Sequence, residues 1–97
     1  MAQTVDLTTQ EREFAAACID FVYEANPRAP RTYKIDGDQL KIPVDPQMRE
    51  AFLDIGLKRL KKVLGLAVSH GAIEKVGLAN LEVSLRNFDR KMSVVMT

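Results

Sequence analysis

The chain predicts an α+β fold, mainly helical, ordered α-β-β-α-α, with a β-hairpin at 32–43 and a short final strand at 92–96. Three patterns carry this. A wide helical apolar arc covers Asp45 to Val68, an alternating apolar segment flanks Asp36-Gly37, and Leu78, Leu81, Leu85, Phe88, Met92 and Val95 recur at the spacing of a helical seam. The order α-β-β-α-β-β is the alternative. Leu81, Val83 and Leu85 also alternate, Asn87 to Lys91 can turn, and Ser93 to Thr97 is β-prone. Val83 separates the two, since it leaves the seam in a helix and joins Leu81 and Leu85 in a strand.

Residues 1–97 make one domain, with 1–7 expected to fray for want of a partner. Thr8 to Glu11 has capping-box spacing and opens the first helix. Phe14, Ala17, Cys18, Phe21, Val22 and Ala25 then share a face, with Ile19 at its margin, and Asn26-Pro27 stops the helix because the residue before proline leaves the α region. Cys18 on that face reads as a buried, inert thiol. Pro27 and Pro30 frame a stiff connector carrying Arg28 and Arg31.

In the hairpin, Tyr33, Ile35, Leu40 and Ile42 alternate with Lys34 and Lys41 around the turn dipeptide Asp36-Gly37. A two-stranded ribbon is marginal in water, so a third strand or a helix must rest against it, and 92–96 is the candidate strand. Asp36 and Asp38 fit turn chemistry better than calcium, because no glutamate stands at the twelfth position of a loop.

Asp45 caps the central helix and Pro46 takes its first position. Glu50, Asp54, Lys58 and Lys62 form an i,i+4 ladder with acids before bases, a solvated face. Opposite, Phe52, Leu53, Ile55, Gly56, Leu57, Leu60, Val63, Leu64, Leu66 and Ala67 cover about 200°, wider than the ~100° stripe of a helix on one core. Gly56 in this arc admits another backbone at close range. Arg59, also within it, either snorkels to water or meets another chain. The C-terminal helix is expected over about 71–90.

Apolar content of 46% and charged content of 28% are those of an ordinary globule. No run approaches a membrane span, no signal-peptide pattern opens the chain, and one cysteine excludes an internal disulfide, so the cytosol is the expected compartment. The net charge of +1 is unevenly spread. Residues 1–27 hold one base against five acids, residues 28–62 nine against five, and residues 63–97 four against three.

No phosphate loop, metal-ligand spacing or catalytic triad is legible, so no catalytic residue, cofactor or metal is assigned. His70 reads as a loop residue beside a helix end. A pH switch there, or a pairing with Cys18, is the sharper reading, and the pairing conflicts with a buried thiol. The arc and the seam together exceed what 97 residues can cover, and oligomerisation is the usual remedy. The expected function is therefore a non-enzymatic adaptor or inhibitor that forms a homo-oligomer, most simply a dimer, and docks on a larger protein. Phe52, Gly56, Arg59, Leu60, Val63, Leu81, Leu85 and Phe88 are its interface candidates.

The alternative is a nucleic-acid-binding regulator. Lys61 to Leu78, KKVLGLAVSHGAIEKVGL, resembles the helix-turn-helix family, with Ala67 where glycine is usual and Lys62 at a position normally small and apolar. The resemblance implies a turn at Ala67-Val68-Ser69 and a reading helix that brings His70, Gly71, Ala72 and Lys75 to bases or phosphates. Lys58, Arg59, Lys61 and Lys62 could grip phosphates beside it.

Overall fold

In the computed structural model, which describes the backbone of residues 3–69 and 75–97 and the side chains of 3–65 and 80–97, the order is β-α-β-β-α-α when the contiguous helical segments of 46–69 are taken as one central rod. The elements are β1 (Gln3–Asp6), α1 (Thr9–Ala25), β2 (Lys34–Asp36), β3 (Gln39–Ile42), α2 (Pro46–Ala51), a π-helical segment (Phe52–Leu57), α3 (Lys58–Ser69) and α4 (Lys75–Val95). The fold is the mainly helical α+β class that the sequence predicts.

The local signals hold at both helix starts. The Thr8 hydroxyl accepts from the Glu11 N–H while Glu11 accepts from the Thr8 N–H, a complete capping box. Asp45 accepts from the Gln47 N–H at 2.9 Å, with Pro46 behind it. Asn26 caps the C-terminus of α1.

The hairpin forms with Leu40 and Ile42 buried and Lys34 and Lys41 outside, but its turn is offset by one residue. Asp36 pairs with Gln39, so the two-residue loop is Gly37-Asp38. Gly37 has φ 60° at the first loop position and no other residue has positive φ among those described, the pattern of a type II′ turn.

The third strand comes from the opposite end of the chain to the one expected. The sheet is antiparallel in the order β1-β3-β2, with Val5 opposite Leu40, and the Leu7 N–H donates to Asp38 O at 2.7 Å. Residues 3–7 are therefore structured rather than frayed. Residues 92–95 are helical instead of extended. Met92 and Met96, four apart, are both buried while Val94 between them is 72% exposed, a split that an alternating strand would not give. Val83, 54% exposed, likewise points off the seam.

The central rod departs from the regular helix in a way that changes its surface. In Phe52–Leu57 the hydrogen bonding widens to i→i+5, which brings Leu57 to the buried side together with Phe52 and Gly56. Phe52 and Leu57 then both turn inward, at 0% and 3% exposure, with Leu60 at 4%. The 200° arc was a product of uniform winding. Re-phased, the rod buries Phe52, Leu57 and Leu60 with α1 and α4 packed against it, and among the described residues the surplus apolar surface expected from the sequence is largely absent.

An aromatic file runs through the core. Phe14 meets Phe88 (5.6 Å between centroids), Phe88 meets Phe52 (6.3 Å), Phe52 meets Tyr33 (5.7 Å) and Tyr33 meets Tyr23 (5.9 Å). It joins α1, α4, the rod and the connector into one packed unit.

Candidate functional site

Burial divides the interface candidates. Phe52, Gly56, Leu60 and Phe88 lie inside their own chain and are withdrawn as contact residues. Gly56 does admit a close backbone, as its position in the arc predicts, but that backbone is α1 of the same chain. Leu81 and Leu85 are half-buried against the core. Arg59 and Val63 stay accessible, Val63 at 42%.

Those two residues line one shallow groove along the rod. Asp54, Lys58 and Lys62 form one wall and Ile55, Arg59 and Val63 the other, around about 680 Å³. Arg59 crosses to α1, where its guanidinium sits 3.1 Å from the Glu24 carboxylate and 4.9 Å from the Phe21 ring centroid. It thus follows neither expected course completely, since it lies along the surface of its own chain. No ion pair among the described residues links Glu50, Asp54, Lys58 and Lys62 to one another or to other side chains. The ladder exists as a pattern of like-facing charges, not as closed salt bridges.

The helix-turn-helix geometry is not reproduced where the resemblance puts it. Ala67, Val68 and Ser69 are the last turn of α3, so the chain does not turn there. Lys61 bonds Asp89 of α4 at 2.6 Å, which ties the early part of α3 to the late part of α4. Lys58 and Lys62 are exposed. His70, with Gly71 and Ala72, lies outside the described residues, and of Lys75 only the backbone, at the start of α4, is described.

Two buried polar groups and one thiol set the chemistry of the interior. Cys18 is fully buried, which pushes its thiol up to about 12, and a thiol held protonated is no nucleophile. The Tyr33 hydroxyl donates to Met48 O, and burial raises its pKa as well. Glu11 is 5% exposed and takes Lys91 Nζ at 2.9 Å, while Lys91 also reaches Asp6 O at 3.0 Å. Burial pushes the Glu11 carboxyl up, but the Thr8 N–H and the Lys91 ammonium outweigh it and leave the pKa below its usual value. This clasp ties α4 to the start of α1, and nothing in local periodicity announces a pair eighty residues apart.

Sequence reasoning also passed over a second cleft, about 640 Å³, lined by Arg31, Thr32, Lys34, Lys41, Ile42, Pro43, Val44 and Asp45. The signal was present in the hairpin register, which sets Lys34 directly opposite Lys41. Among the described residues no three His, Cys, Asp or Glu side chains are grouped to hold a metal, and no helix is long and apolar enough to cross a membrane. No protein-family model, curated protein or solved structure matches the chain.

Proposed function

We propose that the protein is a non-enzymatic interaction module that self-associates through the groove face of the rod and docks on a larger protein partner. The observation that supports this is the order of charges on that face. Glu50, Asp54, Lys58 and Lys62 read acid, acid, base, base at equal spacing, and they have no ion partners among the described residues. Such a row is complementary to its own reverse. An antiparallel second copy, related by a two-fold axis near residue 56, sets Glu50 against Lys62 and Asp54 against Lys58 on both sides.

The neighbouring row obeys the same symmetry. Val63 comes to half-buried Ala51 of the second copy, and Ile55 to the aliphatic stem of Arg59, whose head is held by Glu24. Glu50 to Lys62 spans about 18 Å of helix at ~1.5 Å per residue. One helix face of that length buries less than the ~1,200 Å² of a standard interface, so the dimer is weak, about micromolar or weaker, and salt-sensitive.

Sedimentation equilibrium over micromolar to millimolar chain, at low and high salt, tests the reading. Wild type associates at low salt, and Val63→Asp and Asp54→Lys each abolish it. Two charge-swapped chains give the decisive arm. Glu50→Lys/Asp54→Lys and Lys58→Glu/Lys62→Glu are each monomeric alone and form a heterodimer when mixed. A wild-type monomer at every concentration, or a mixture that fails to pair, overturns the proposal.

A further inference from the structure

The cleft at the open end of the hairpin sets three bases against one acid. Lys34 on β2 and Lys41 on β3 are register partners on the outer face of the sheet, and like charges directly opposite one another destabilise a strand pair. Lysine on an edge strand commonly protects against unwanted pairing, which accounts for Lys34, since β2 is an edge. It does not account for Lys41, because β3 is the central strand. Arg31 adds a third charge, and its guanidinium is fixed 3.9 Å above the Tyr23 ring. Tyr23 is itself held by its hydroxyl donating to Pro30 O and by its edge contact with Tyr33.

None of the three bases has an acidic partner among the described residues. Asp45 also lines the cleft, but its carboxylate accepts from the Gln47 N–H at 2.9 Å as the cap of α2. Ile42 and Pro43 are buried at the floor, and Val44 beside them is 78% exposed, the most exposed of the large apolar side chains described. A pre-positioned guanidinium, two ammonium groups and an apolar contact within one concave surface match carboxylates that flank an apolar side chain.

We propose that this cleft docks an acidic peptide segment of a protein partner, one with carboxylates on either side of an apolar residue. A nucleic acid satisfies the charges and leaves Val44 without a role, and the aromatic ring nearest the charges, Tyr23, is already covered by Arg31. In a second copy of this chain Asp6 is held by Gln39 and Asp45 caps α2. The other acids without an ion partner among the described residues, Glu13, Asp20, Glu50, Asp54 and Glu82, lie on helices and Asp36 ends β2 beside Gly37, so none belongs to an extended segment with carboxylates on either side of an apolar residue. The inference gives the chemistry of the docking partner in the proposed function and rests on that docking, but not on the dimer.

The test titrates the full chain with a fluorescein-labelled acidic pentapeptide bearing a central leucine, read by polarisation and by amide chemical shifts. Parallel arms use the same peptide with serine for leucine and an oligothymidine of equal charge. The leucine peptide saturates and shifts the amides of Arg31, Lys34, Lys41 and Val44. Lys34→Glu/Lys41→Glu weakens it about tenfold or more, with the circular dichroism of the fold retained, and the serine peptide binds less tightly. Absence of saturation at millimolar peptide, shifts centred on another surface, or oligothymidine binding in place of the peptide each overturn the inference. The charge-swapped rod variants keep peptide binding, so failure of the dimer and failure of the cleft are read separately.

Discussion

Gly56 of the rod lies against Cys18 of α1 so closely that a Cβ on the glycine would stand 2.6 Å from the Cys18 carbonyl oxygen and 2.9 Å from its Cβ. Both obstacles belong to a helix backbone or its first side-chain atom, so neither can swing aside. Gly56→Ala is expected to destabilise the fold by about 2 kcal/mol, the overpacking cost less the helix-propensity gain of alanine. Gly65 supplies the control, since a Cβ there meets nothing within 4 Å. Gly65→Ala is expected to stabilise by up to about 1 kcal/mol. Thermal melts of the two variants should move in opposite directions, and equal shifts would contradict the contact.

Leu7 distinguishes a folded start from a frayed one. It is 6% exposed and its N–H is tied to the hairpin turn. Leu7→Ala should cost about 2–5 kcal/mol in urea unfolding, the range for truncating a buried leucine. A loose terminus would register no change.

The Glu11–Lys91 clasp has a defined pH signature. Glu11 titrates below its ordinary 4.5 when folded, so the stability it contributes is complete above that value and is lost as pH falls through the folded pKa. Glu11→Gln keeps an acceptor for the cap and removes the charge. The variant should be about 1–2 kcal/mol less stable than wild type near neutral pH, with the gap closing in acid. Stability measured from pH 7 to pH 3 checks both the size and the direction.

Cys18 should be chemically silent in the native chain. With its thiol pushed up to about 12 and no exposed surface, a disulfide reagent at pH 8 should react only as fast as the protein opens. Denaturant should release one thiol per chain. Rapid native labelling would show that the α1–rod contact is looser than described.

Features legible in the sequence were those written in a few adjacent residues. The capping box at Thr8, the Asp45-Pro46 start, the alternation from Tyr33 to Ile42 and the small residue at 56 each depend on local chemistry, and each has its counterpart in the fold. Features decided by distant partners were not legible. β1 has one apolar residue, Val5, and exists because β3 offers it backbone partners. The same blindness hid the Glu11–Lys91 clasp and the Lys34–Lys41 opposition. The rod's surface was misjudged because a fixed 100° step cannot register a change of winding, and Phe52, Gly56 and Leu60 were assigned to another chain when α1 and the core of their own chain already covered them. Arg59, Val63, Lys58 and Lys62 were found, though as members of two rival sets, and the groove unites them.

The wide turn at Phe52–Leu57 acts as though one extra residue had been spliced into an ordinary helix. Removing a single residue there would let the helix return to regular coiling while Lys58–Ser69 kept its phase relative to Pro46–Ala51. Tightening the turn with every residue retained would instead swing Lys58–Ser69 through about 100° and carry Leu60 away from the interior. The side of the rod that faces solvent after Lys58 is therefore set by the width of this one turn rather than by which aliphatic side chains fill it.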